Sequence, residues 1–216
     1  MKRLIFRGKL KTGTVEAFNG LSHELKISLQ PYLDDEKLMT LSIFTFKDTL
    51  FLYYECINEV IDPEILVSEL SCCLEPWPGL EAPRYWVPMM DIFHYNRPVD
   101  KEHWRRKEPV HKRVARITRL KDDMYSSYIF YHFQLQEEKP SIVGNKYGII
   151  AAHEDLLFFY HEEPNIVEKP SLYEGKLNTQ NTPPNWGDLM APHFNVWEGI
   201  EESQRIWRYI DLVFDI

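Results

Sequence analysis

The feature that most constrains the fold of this 216-residue chain is an internal recurrence of short segments. TLFLYYE at 49–55 resembles LLFFYHE at 156–162, and WVPMMDIF at 86–93 resembles WGDLMAPHF at 186–194. A third landmark recurs 103 residues along the chain, as Trp104, Arg105 and Val110 and then Trp207, Arg208 and Val213. Because the order of the landmarks is kept, we predict two similar halves, 1–111 and 112–216.

The first half has the pattern strand, helix, paired strands, helix, strand. RLIFRGKL is typical of a strand, and VEAFNGLSHELKISLQPYL has apolar residues at helical spacing. LMTLSIFTF and TLFLYYECI are β-branched and aromatic runs joined by Lys47 and Asp48, which indicates a hairpin. Asp62 and Pro63 form an N-cap and first-turn pair, so they predict that the helix PEILVSELSCCL begins there.

The second half repeats this pattern less regularly. VARITRL predicts its first strand, DDMYSSYIFYHFQLQEE its helix, and KYGIIAA with LLFFYHE its hairpin. From Pro164 to Pro192 the chain is crowded with Pro, Asn, Gly and Thr, so we expect a loop with one or two short helical turns.

Two βαββαβ halves give an α+β fold of two ferredoxin-like repeats. An antiparallel sheet with helices on one face needs cover on the other face, and two such sheets can cover each other. We therefore expect the sheets to pack face to face as an intrachain pseudo-dimeric α/β barrel. A chain of this kind needs no second subunit, so we expect a monomer or a weak homodimer.

The composition narrows the class of partner and the compartment. Cys56, Cys72 and Cys73 are an odd set with an adjacent pair, a poor disulfide framework, so we expect a reducing, cytoplasmic location. A formal net charge of −8 argues against nucleic-acid binding, and no segment approaches the length of a membrane span. We expect neither a nucleic-acid nor a membrane partner.

One ionisable ring stands out in the helix of the second half. In SSYIFYHFQ, Tyr128 and His132 are one helical turn apart on the same face, so both polar tips can converge on one small molecule. Tyr147 and Trp186 are two further aromatics with polar groups. By spacing alone, core or rim aromatics with a histidine that is merely hydrogen-bonded are the commoner arrangement.

These residues resemble the pattern of the L-rhamnose mutarotase family, here as a tandem duplication within one chain. The resemblance implies that Tyr128 contacts substrate, that His132 donates a proton, and that Tyr147 and Trp186 bind substrate. It departs from the family where Gly187 replaces a second tryptophan and where Phe133 to Gln136 replace an Asn-Pro-x-Trp run.

The first half keeps a different part of the same pattern. Arg84, Tyr85 and Trp86 retain the aromatic pair and suggest a second binding site, whereas Phe18 and Ser22 occupy the tyrosine and histidine positions. His23 is one residue out of register, about 100° around the helix. We therefore expect a degenerate site, or a binding site without catalysis, in this half.

The resemblance implies a mutarotase that interconverts the anomers of L-rhamnose or a related monosaccharide, without a cofactor. The chain also lacks a glycine-rich phosphate loop, a dinucleotide fingerprint and the histidine pair of a zincin helix, so we expect no metal. Two other functions stay open: a non-catalytic carbohydrate-binding or regulatory protein, and another cofactor-free small-molecule enzyme on the same fold.

Overall fold

A computed structural model describes residues 1–79, 83–138, 142–169 and 175–216. The chain divides into unit 1, Met1–Met89 with Asp100–Arg105 and Asp211–Ile216, and unit 2, Met90–Val99 with Arg106–Ile210. The main change of unit falls between residues 105 and 106. Within the described residues, no helix has both the length and the apolar character needed to cross a membrane.

Unit 1 is built on an antiparallel sheet. Its strands are β1 (Lys2–Lys9), β2 (Leu38–Phe46), β3 (Thr49–Cys56) and β4 (Val87–Pro88), and its helices are α1 (Val15–Gly20), α2 (Ser22–Asp34), α3 (Pro63–Leu66) and α4 (Lys101–Trp104). The strands lie in the order β4-β1-β3-β2, and residues 211–215 pair with the outer edge of β2. The predicted hairpin is confirmed as β2 and β3, which are joined by Lys47 in the left-handed conformation (φ 57°).

Unit 2 has the same kind of sheet. Its strands are β5 (Met90–His94), β6 (Lys112–Leu120), β7 (Gly144–Asn145), β8 (Ile149–His153), β9 (Leu156–Glu163), β10 (Val167–Glu168), β11 (Phe194–Asn195) and the start of β12 (Arg208–Asp215). Its helices are α5 (Tyr125–Glu138) and α6 (Trp186–Met190). The order is β12-β6-β9-β8-β5, with β11 also paired to β6 and β10 paired to β7.

The predicted α+β class with antiparallel sheets is confirmed. Several local predictions are confirmed too, because short-range rules govern them: Asp62 caps α3 by accepting a hydrogen bond from the Glu64 N–H at 2.9 Å. The helix predicted over PEILVSELSCCL is only partly α-helical, because α3 ends at Leu66 and a 3₁₀ helix follows at Ser68–Cys73. In the predicted loop from Pro164 to Pro192 the structure has α6, while residues 170–174 lie outside the described residues.

Two of the three recurring landmarks do not correspond in structure. Trp104 ends helix α4, whereas Trp207 directly precedes strand β12. WVPMMDIF contains strands β4 and β5, whereas WGDLMAPHF contains helix α6. Only TLFLYYE and LLFFYHE fall on equivalent elements, the second strand of a hairpin in each unit. The tryptophan matches were therefore wrong as structural equivalences, because a shared residue type does not fix a shared backbone conformation.

Trp86 belongs to the core of unit 1. Its side chain is 3% exposed and packs in the cluster that includes Leu25 and Leu29 of α2. Its ring also lies directly over Gly8 of β1, where an added Cβ would come within 2.8 Å of Cζ3 of the ring. A side chain at position 8 would therefore displace the tryptophan.

We expect Gly8→Ala to lower the free energy of unfolding by about 1 to 3 kcal/mol, because the new methyl group overpacks the Trp86 ring. Gly20→Ala is the matched control, since nothing lies within 4 Å of its added Cβ and alanine favours helix. Urea unfolding measures both variants. An unchanged free energy of unfolding in Gly8→Ala would contradict the packing described for Trp86.

Candidate functional site

Unit 2 contains an aromatic cavity of about 330 Å³, within the usual size range of small-molecule sites. Helix α5, strands β6, β8 and β9, and the segments around α6 and before β12 contribute to its wall. Its aromatic and basic lining residues are Tyr95, Tyr128, Phe159, Trp186, Phe194, Trp207, Arg116 and His132. The cavity therefore joins three of the predicted site residues, Tyr128, His132 and Trp186.

His132 is held in one tautomer by its own helix. Its Nδ1 lies 2.9 Å from the backbone oxygen of Tyr128, one turn earlier. A carbonyl oxygen only accepts hydrogen bonds, so Nδ1 carries the proton and Nε2 carries the lone pair. Nε2 has no hydrogen-bond partner in the described part of the chain. It is therefore available to accept a proton from a ligand.

Burial makes the His132 ring a neutral base. The side chain is 4% exposed, and desolvation lowers its pKa to about 4, with a smaller contribution from nearby His193. The hydrogen bond to Tyr128 acts in the opposite direction but is the weaker effect. At neutral pH the imidazole is therefore uncharged, so its Nε2 can accept a proton but has none to deliver.

Aromatic rings surround this imidazole. The ring centroid of Tyr128 lies 4.1 Å from that of His132, and the Trp186 centroid lies 5.0 Å away in an edge-on arrangement. Tyr128 is 1% exposed, and burial raises the pKa of its hydroxyl. The tyrosine therefore stays protonated over the physiological range and can only act as a neutral hydrogen-bonding group.

Three cavity residues with polar side-chain groups were not identified from the sequence: Tyr95, Arg116 and Trp207. Tyr95 is fixed by Gly144 and Gly148, where an added Cβ would lie 2.2 and 2.7 Å from its ring. Arg116 had a usable signal, because it is a charged residue in the middle of a strand whose neighbours Ala115 and Ile117 are buried. No sequence feature marks Tyr95 or Trp207 in this way, since no local pattern links them to α5.

Tyr147 lies outside this cavity. It precedes β8, its side chain is buried, and its N–H donates to Oδ1 of Asn145 at 3.0 Å. The guanidinium carbon of Arg106 sits 4.0 Å from the centre of its ring. These contacts account for its burial by packing and by an interaction with a cation.

The predicted second site falls in unit 1 and is dominated by structural contacts. The N–H groups of Tyr85 and Trp86 donate to Oε1 of Glu64 at 2.6 and 2.9 Å. Arg84 is exposed, and its backbone pairs with Trp77. Trp86, as described above, is part of the core. No group of His, Cys, Asp and Glu suited to hold a metal ion occurs among the described residues of either unit.

Comparison with protein-family models and with curated proteins gave no match to this chain. Among solved structures, the chain is similar to a protein of Fusobacterium nucleatum subsp. nucleatum whose crystal structure is described as a "putative monooxygenase". The two share 7% identity at a TM-score of 0.44, over 99% of this chain and 92% of the other. Similarity at this level supports no conclusion about the function of the present chain.

The lowered pKa of His132 predicts a pH dependence of stability. Its folded pKa of about 4 is below the ordinary value, so the unfolded chain binds the proton first as the pH falls through about 6.5. The contribution of His132 to the free energy of unfolding should therefore fall by about 2 kcal/mol between pH 7 and pH 5, and it should fall further towards pH 4.

Urea unfolding of wild type and His132→Gln at both pH values isolates this contribution, because glutamine does not titrate. His111→Gln, at an exposed histidine of the same unit, is the control for the loss of an imidazole. An identical pH dependence in wild type and His132→Gln would mean that His132 titrates at its ordinary pKa.

Proposed function

We propose that the protein is a sugar mutarotase that works in the cavity of unit 2, with His132 as its acid–base group. The observation that carries the proposal is the neutral imidazole of His132, whose Nδ1 is tied to the backbone of Tyr128 and which lines an aromatic cavity of monosaccharide size. Mutarotation needs proton transfer and no redox or group-transfer chemistry, so the proposal includes no cofactor.

In this reaction a pyranose loses the proton of its anomeric hydroxyl while the ring oxygen gains one. The bond between C1 and the ring oxygen then breaks, the open aldehyde rotates, and the ring closes on either face. Neutral His132 would take the proton from the anomeric hydroxyl at Nε2. This differs from the proton-donating role that the family resemblance implies, because the low pKa leaves His132 without a proton to give at neutral pH.

The imidazolium formed in this way would give that proton to the ring oxygen as the bond to C1 breaks, so that His132 ends neutral, while a hydrogen-bond donor holds the ring oxygen in place. Tyr95 and Tyr128 both line the cavity, and burial raises the pKa of both hydroxyls, so each stays protonated. Trp186 and Trp207 would offer flat apolar surfaces for the C–H face of the sugar while their ring N–H groups can donate to hydroxyls. The cavity thus has apolar walls and a few polar groups, as sugar binding requires.

We also propose that the two units are ferredoxin-like repeats that form an intrachain pseudo-dimeric α/β barrel. Three parallels between the units support it. The strand orders correspond, the hairpin strands β3 and β9 occupy equivalent places, and both strands carry a Tyr-x-Glu sequence with buried side chains, Tyr53 and Glu55 or Tyr160 and Glu162. In each case the tyrosine hydroxyl donates to the glutamate.

The same proposal includes the partners and the location. Its ligand is a monosaccharide, bound by a cytoplasmic monomer or weak homodimer that has no nucleic-acid or membrane partner. The net charge of −8 supports the exclusion of nucleic acid, since phosphate binding needs basic surfaces. The free thiols of Cys56, Cys72 and Cys73 support a reducing compartment.

One observation favours a second candidate, a carbohydrate-binding protein without turnover. An acid–base catalyst works best when its pKa lies near the working pH, and a base of pKa about 4 is a weak acceptor at pH 7. In that case His132 would serve as a neutral hydrogen-bond acceptor for a sugar hydroxyl.

Anomeric exchange, measured by NMR for L-rhamnose, L-fucose, D-ribose and D-galactose, tests the proposal. We expect acceleration of at least one sugar, lowered roughly 10²- to 10⁴-fold in His132→Gln and unchanged in His111→Gln. The rate should stay level from pH 7 to pH 5 and fall near pH 4, because only then does His132 take up a proton.

Each alternative gives a different result in this experiment. Bound-sugar signals without acceleration would identify the binding protein. A rate that falls near pH 6.5 would assign the proton transfer to an ordinary, exposed imidazole. Neither binding nor acceleration with any sugar would reject the mutarotase proposal.

A further inference from the structure

Arg116 brings a cation into the aromatic cavity. It lies in the middle of β6, its side chain is half-buried, and it contributes to the cavity wall. Its guanidinium carbon lies 4.8 Å from the centre of the Phe159 ring and 5.5 Å from that of Tyr209. The rings hold the guanidinium by cation–π attraction, but they accept none of the hydrogen bonds that its five N–H groups can donate.

This arginine has no anionic partner within the described residues. Its Nε is buried without a hydrogen-bond acceptor, and it makes no ion pair with a described carboxylate. The neighbouring arginines differ. Arg106 binds Glu162 through two hydrogen bonds of 3.0 and 2.5 Å, and Arg119 binds Asp155 at 2.6 Å.

A desolvated charge without a partner is unfavourable, and burial accordingly lowers the pKa of Arg116. Proteins keep such a charge where a ligand supplies the missing partner, because the planar guanidinium matches the two oxygens of a carboxylate. The cation lines the same cavity as His132, so a ligand that contacts the imidazole can also reach the guanidinium.

We infer that Arg116 is an anion-binding residue and that the ligand of this cavity is a sugar acid, a hexuronate whose carboxylate pairs with the guanidinium. The inference rests on the proposed function for the sugar ring, and on Arg116 for the charge. A carboxylate fits better than a phosphate, because one guanidinium balances a single negative charge, whereas a phosphate at neutral pH carries a charge of about −2.

Unit 1 lacks this cation at the corresponding place. In unit 2, Arg116 pairs in register with Phe159, the residue before Tyr160. In unit 1 the residue before Tyr53 is Leu52, and its partner in register is Phe6. The hexuronate site is therefore assigned to unit 2 alone.

Two pairs of sugars that differ only at C6 test the inference: D-glucuronate against D-glucose, and D-galacturonate against D-galactose. Titration calorimetry measures affinity, and NMR measures anomeric exchange. We expect the wild type to bind one uronate at least ~10-fold more tightly than its neutral partner, and Arg116→Gln to abolish that preference. Arg116→Lys keeps the positive charge but lacks the planar guanidinium, so it should retain part of the preference for the uronate.

Arg119→Gln is the matched control, because it removes the same charge from β6 at an exposed position that does not line the cavity. It should keep the wild-type preference. Circular dichroism and thermal unfolding of each variant distinguish a loss of ligand binding from a loss of the fold.

The outcomes distinguish the inference from the proposed function. If neutral sugars and uronates bind and exchange equally well, the anionic class is overturned and the mutarotase proposal stands. Benzoate is a carboxylate without a sugar ring and serves as a further probe. If no sugar binds but benzoate binds to the wild type and not to Arg116→Gln, the hexuronate and the mutarotase are both overturned and Arg116 keeps its anion-binding role. If neither sugars nor benzoate bind, the role of Arg116 is overturned as well.

Discussion

The constraint on which both units depend is the burial of polar groups on their hairpin strands. From Leu50 to Cys56, strand β3 is buried on both faces, so Glu55 cannot reach water. Tyr53 and the indole N–H of Trp104 donate to this carboxylate. A buried carboxylate without such partners would be strongly unfavourable, so these contacts fix the positions of the strand and of the segment that carries Trp104.

In unit 2 the partners of the buried carboxylate, that of Glu162, include a cation. Glu162 accepts hydrogen bonds from Tyr160 at 2.6 Å and from Arg106. Arg106 is thereby occupied by a structural ion pair, whereas Arg116, on β6, has no carboxylate partner among the described residues. The presence of a carboxylate partner therefore distinguishes the structural ion pair of Arg106 from the candidate ligand contact of the half-buried Arg116.

The chemistry of the cavity follows from burial more than from residue type. A histidine in water would be partly charged near pH 6.5, but His132 is desolvated among aromatic rings and is neutral down to about pH 4. The backbone of α5 selects its tautomer through the carbonyl of Tyr128. Position on a helix thus decides which nitrogen can act, and packing decides in which protonation state it acts.

Local features were determined by the sequence alone. The hairpin of β2 and β3, the cap at Asp62 and the shared face of Tyr128 and His132 depend on residues close together in the chain. Only the tertiary structure decided that Tyr147 lies outside the cavity of His132 while Arg116 lines it. The reason is physical: strand pairing and desolvation join distant segments, and no local pattern of residues records which segments will meet.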